Sequence, residues 1–299
     1  MTWGRRLTIL VPYLWLVAFF VAPFLIVLRI SVSETVYAQP PYTPTWDSLD
    51  AVLSHLSNPY LGNYAWIFSD DLYLKSFANS LVTAAVSTVI ALVIAYPIAY
   101  GIARTSPVWR GTLLALVILP FWTSFLIRVY AWIGIFQTEG VRTAIEGVVN
   151  PVMMSLGLID EPAAFFPGQG AVYVGIVYSY LPFMILPLYA SLEKLDPALL
   201  EAAADLGARP AVSFLRVTLP LSLPGVAAGS FLVFIPTVGE FVIPELLGDS
   251  ATLMIGRTLW VEFFSNRDWP LASAMAVLLL LVLVVPIVVF QQVAKQART

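Results

Sequence analysis

Six stretches of this chain are long and apolar enough to cross about 30 Å of hydrocarbon as helices, and nothing else in the sequence restricts the fold as much. They run roughly from Leu7 to Leu28, Phe77 to Ala103, Leu113 to Phe136, Ala171 to Leu192, Leu221 to Leu246 and Pro270 to Phe290. Of the 299 residues, 60% are hydrophobic and 11% charged, with a mean hydropathy of +0.87. A soluble domain carries about twice that charged fraction. The reading is an all-α, polytopic membrane protein: a single transmembrane domain over residues 1–299. Arg5 and Arg6 precede the first run as in a signal peptide. That run is longer than a signal's apolar region, so it reads as a retained anchor. Val141 to Ile159 is interrupted by Arg142, Glu146, Asn150 and Pro151 and is expected to lie at the membrane surface or re-enter.

Lys and Arg in the loops give the orientation. One side gathers Arg5, Arg6, Arg104, Arg110, Lys194, Arg209, Arg216, Lys295 and Arg298; the other has Lys75, Arg142, Arg257 and Arg267. The first side is therefore expected to be cytoplasmic, with both termini there. The opposite loops hold most of the acids, including Asp47, Asp50, Asp70, Asp71, Asp160, Glu161, Asp249, Glu262 and Asp268. The long outer loop, 34–76, is acidic and rich in Pro and aromatic residues.

The chain has no cysteine, which excludes disulfides and thiol chemistry. Its one histidine, His55, has no second histidine with which to form a metal or catalytic site. Gly248-Asp249-Ser250-Ala251 outlines a serine-protease motif but lacks a histidine base within the membrane. No catalytic residue and no metal site is expected.

Between the fourth and fifth runs, in loop 193–220, stands a polar passage, "EAAADLGARPAVSFLRVTLP", from Glu201 to Pro220. Asp196-Pro197 reads as a helix start, Gly207 as the left-handed residue that ends a helix, and Pro210 as the start of a second. Leu199, Ala203 and Leu206 share one face of the first helix, while Glu201 and Asp205 form an acidic pair. Such a capped helix-turn-helix is either a solvated connector or a docking surface for a partner.

Glu201, Ala202, Ala203, Gly207, Leu219 and Pro220 fall at the spacing of the "EAA" signature, and the passage resembles that of ABC-importer permeases. Val217 stands where the signature has isoleucine. "LPFWTSFLIRVYAW" from Leu119, "YLPFMILPLYASLEKLD" from Tyr180, "VGEFVIPELLG" from Val238 and "NRDWPLASA" from Asn266 are similar to the subgroup that imports putrescine and other polyamines. The resemblance implies a type I ABC importer permease fold in a bacterial inner membrane. It also implies partners: a second homologous permease, two ATP-binding subunits docked at 201–220, a periplasmic polyamine-binding protein and the lipid bilayer, with no nucleic acid. None of the three lysines follows a glycine, so the chain has no P-loop. ATP and Mg belong to the partner ATPase, and this chain is expected to bind no cofactor. Spermidine or another small solute is the alternative cargo. An ion-coupled carrier working alone would be expected to carry an internal repeat, and no convincing one stands out.

Charges inside spans mark functional positions. Arg128 in the third run and Glu240 in the fifth are two, with Glu245 further out. The fifth run is interrupted by Pro224, Pro236 and Pro244 beside Gly225, Gly229 and Gly239. Broken helices at membrane depth line pathways. Glu240 either holds a substrate ammonium or pairs with Arg128. Trp122, Tyr130, Trp132, Tyr178 and Tyr180 are the aromatic candidates for contact with an amine, against the alternative of an interfacial belt. Pro120 is expected to kink the helix before Trp122.

Overall fold

A computed structural model describes residues 3–45, 59–157, 159, 161–162 and 164–296, with side chains between 8 and 284. His55, Asp47, Asp50 and Asp160 lie outside the described residues. In chain order, α1 (Trp3–Leu16) passes through a π-helical turn (Val17–Val21) into α2 (Ala22–Ile30). The short strands β1 (Glu34–Thr35) and β2 (Tyr42–Thr43) follow, then α3 (Gly62–Ser69), α4 (Asp71–Arg104) and α5 (Pro107–Ile118). Next come a 3-10 turn (Leu119–Trp122), α6 (Phe125–Phe136), α7 (Glu139–Ser155), α8 (Gln169–Leu192), α9 (Ala198–Asp205) and α10 (Pro210–Ser213). A second π turn (Phe214–Thr218) leads into α11 (Leu219–Val238), followed by α12 (Val242–Leu247) and α13 (Ile255–Trp260). A third π turn (Val261–Ser265) precedes α14 (Trp269–Gln296).

Among the described residues, four helical stretches are each long and apolar enough to cross a membrane: Thr8–Ile30, Asp71–Arg104, Gln169–Leu192 and Pro210–Val238. A fifth crossing is formed if the bent pair Pro107–Trp122 and Phe125–Phe136 counts as one. The third apolar run is thus two helices meeting at 86° rather than one rod. Pro120 removes a helix amide there, and Thr123 and Ser124 turn extended before α6 begins. The fifth run is also divided, because α11 stops at Val238 and α12 restarts at Val242. In α14, the described residues Trp269–Val284 form an apolar helical stretch.

The chain forms two compact units, Met1–Ser76 with Thr258–Thr299, and Phe77–Arg257. In the first, α14 packs against α2 and α3. The strands pair antiparallel with Glu34 opposite Thr43 and Thr35 opposite Tyr42. Arg29 is buried beneath this hairpin, donating to the Pro44 carbonyl (2.7 Å) and facing the Tyr42 ring. The buried Glu262 carboxylate accepts from the Tyr73 hydroxyl (3.0 Å) and the Asn266 amide (2.8 Å).

In the second unit the broadest helix contact joins α8 and α11. Glycine makes it possible. A Cβ on Gly225 would lie 2.6 Å from Cβ of Ser191 and 2.8 Å from the Pro187 carbonyl, and one on Gly229 2.7 Å from Sδ of Met184. The two glycines are four residues apart on one face, as in small-residue seams between membrane helices. Ala91, Ala95 and Ala99 of α4 give a similar stripe, buried with Met184, Ile185, Leu188 and Val233.

Candidate functional site

The polar passage folds as its caps require. Asp196 Oδ1 accepts from the Ala198 amide (2.9 Å), which starts α9. Gly207 adopts φ +78° and the Ala208 amide donates back to the Ala203 carbonyl (3.0 Å), which closes the helix. Pro210 then opens α10. Glu201, Ala202 and Asp205 are exposed on α9, Ala203 is partly covered, and Gly207 is exposed at its end. Leu206, 89% exposed, stands out as an apolar knob at the tip.

Leu219 and Pro220 begin α11 directly after the π turn. That turn is anchored by residues for which sequence carried no signal. The Phe214 ring meets Tyr96 edge-on at 5.4 Å and Tyr100 at 6.4 Å, both on α4. The Tyr96 and Ser222 hydroxyls are 2.8 Å apart, and Ser222 in turn donates to the Leu219 carbonyl. An aromatic at 96 looks like ordinary span content until its partner is seen.

Glu240 sits in the gap between α11 and α12 and is 7% exposed. Its Oε1 accepts from the amides of Phe241, Val242 and Ile243 at 3.2, 3.0 and 3.4 Å. Its Oε2 accepts from the Tyr180 hydroxyl at 2.5 Å. The carboxylate therefore caps the positive end of α12. Among the described residues it forms no ion pair; in particular, Arg128 and Glu240 are not bridged. Arg128 instead lies over the rings of Phe121 (5.0 Å) and Phe125 (5.8 Å).

Phe121 and Phe183 connect the two charges. Phe121 packs edge-on against Phe183 at 5.2 Å, and Phe183 lies 6.1 Å from Tyr180. An aromatic row thus runs from Arg128 to Glu240. Of the aromatic residues singled out from sequence, only Tyr180 belongs to it. Tyr178 instead packs edge-on against Trp132 at 5.4 Å. Trp122 is 83% exposed and Tyr130 is also exposed. Glu245 is bound elsewhere, in an ion pair with Arg257 at 2.6 Å.

Comparison with known proteins accords with this architecture. Residues 5–298 match the family model described as "Binding-protein-dependent transport system inner membrane component". The spermidine/putrescine transport system permease protein PotB of Haemophilus influenzae is 35% identical over 295 residues, covering 97% of this chain and 94% of its own. PotB of Escherichia coli K12 is 37% identical over 235 residues, covering 79% of this chain and 82% of its own. In structure, the chain is similar to one from a bacterial alginate ABC transporter crystallised with its alginate pentasaccharide-bound periplasmic protein. The TM-score is 0.67 at 17% identity, over 99% of this chain and 95% of that one. At that identity the likeness speaks for the fold alone.

Proposed function

The chain belongs to the family of binding-protein-dependent transport system inner membrane components, and from that premise we propose that it is the polyamine-conducting permease of an ABC importer. It is a multi-pass inner-membrane transport component and not an enzyme. In the proposed reading six spans cross the membrane, with both termini and loop 193–220 in the cytoplasm. A second homologous permease completes the conduit. Two ATP-binding subunits, which use ATP and Mg, dock on α9 through Glu201, Ala202, Ala203, Asp205 and Gly207. A periplasmic binding protein delivers putrescine or spermidine to the outer loops, including 34–76.

The observation that carries the cargo assignment is Glu240, a buried carboxylate with an aromatic hydroxyl on one oxygen and no cationic partner among the described residues. An ammonium end of a polyamine supplies the missing charge, and the rings of Tyr180 and Phe183 suit its methylene spacer. The relatives named for spermidine and putrescine support the same reading.

The test is Glu240→Gln in the complete importer in proteoliposomes, with uptake of both amines measured at matched assembly. Loss of one charge-assisted contact corresponds to a fall of about tenfold or more. Unchanged uptake would remove Glu240 from the substrate site. Uptake by this chain alone under an ion gradient would remove the ABC reading as a whole.

A further inference from the structure

Importing a cation gives no obvious use for Arg128. The residue is 9% exposed, and Nε and Nη1 have no hydrogen-bond partner among the described residues. Two phenylalanine faces hold it instead, at 5.0 and 5.8 Å from Cζ. Aromatic enclosures of this kind bind ammonium ligands. Here the enclosure is filled by a cation that the protein itself supplies, and Phe121 then leads through Phe183 and Tyr180 to Glu240.

A guanidinium stays charged at any physiological pH, and its buried N–H groups are costly when unsatisfied. An apolar residue of similar volume would avoid that cost. We propose that Arg128 is a specificity-determining residue: a resident cation that fills the aromatic enclosure at the opposite end of the row from Glu240 and excludes a second ammonium from it. The proposal rests on the reading of Glu240 as the amine-binding group. An amine with one ammonium on Glu240 must direct the rest of its length away from Arg128. A short diamine has one remaining charge to place. A triamine has two, and repulsion removes every arrangement that lays either of them along the row. Arg128 thereby grades amines by the number and spacing of their charges.

The experiment uses the complete importer in proteoliposomes with saturating loaded binding protein, so that the binding protein's own preference is common to all variants. Maximal uptake rates of putrescine and spermidine are compared for the wild type, Arg128→Lys, Arg128→Gln and Arg128→Met. Removing the charge is expected to raise the spermidine-to-putrescine ratio about tenfold, the effect of a charge–charge interaction at intermediate dielectric. Arg128→Lys is expected to keep the wild-type ratio. A merely structural arginine would lower both rates together, and an unchanged ratio in whichever neutral variant assembles overturns the proposal. Wild-type importer that carries neither amine would overturn the cargo reading itself, which is a separate result.

Discussion

Glu240 divides two duties between two oxygens. Oε1 holds the first amides of α12, and Oε2 meets Tyr180. A glutamine can keep its carbonyl oxygen on the amides while losing the charge, so Glu240→Gln is expected to preserve assembly. Glu240→Ala removes the cap as well and is expected to lower the melting temperature of the purified importer, with a cost of about 1 kcal/mol from the lost cap. Tyr180→Phe keeps the ring and the aromatic row but removes one hydrogen bond. Its expected effect on uptake is smaller than that of Glu240→Gln, and parallel uptake assays rank the two. Both charges could be read from sequence, because an ionised residue inside an apolar run always demands a reason. Phe121 and Phe183 could not, because phenylalanine is what any span contains. Their meaning lies in a contact between positions 62 apart in the chain.

At the scale of the element, two glycine roles separate cleanly. Gly207 is needed for its conformation, φ +78°, since a side chain there would meet nothing within 4 Å of its Cβ. Gly207→Val therefore strains the backbone by about 1–2 kcal/mol, and is expected to abolish ATPase stimulation by loaded binding protein while leaving membrane insertion intact. Gly229 is needed for space, since a Cβ would meet Met184. Gly229→Leu is expected to cost about 1–3 kcal/mol through overpacking, seen as a lower melting temperature of the detergent-solubilised importer. Sequence anticipated the start and stop of α9 because Asp196, Pro197 and Gly207 are local signals. It also anticipated a bend after Pro120, but not its 86°, which depends on what the two halves pack against. The break at Glu240 was implied by the neighbouring prolines and glycines. That Glu240 itself caps the restart was not, because capping needs the chain to have turned already.

For the whole molecule, apolar length marks the candidate spans, and loop charge is the basis of the proposed direction. The absence of cysteine makes that direction measurable without altering a background. A single cysteine at Ala208, beside the tip of α9, is expected to react with a membrane-impermeant maleimide only from the cytoplasmic side. One at Tyr37, in the hairpin loop, is expected to react only from the periplasmic side. Labelling of both from one side would remove the proposed topology. What remained illegible at this scale is the division into two compact units, since residues 258–299 join the unit that holds residues 1–76.

The glycine seam between α8 and α11 also has a mechanical meaning. At Gly225 and Gly229 the nearest neighbours include the main chain of the opposite helix, at Pro187, Leu188 and Met184. Two rods touching in this way behave as a laminated beam, stiff against sliding. The 20 residues of α11 extend about 30 Å at helical rise. One end of the beam continues into the π turn gripped by Tyr96 and Tyr100, and the other ends at the gap that holds Glu240. A tug delivered at Phe214 would then arrive at the carboxylate with little slack taken up on the way.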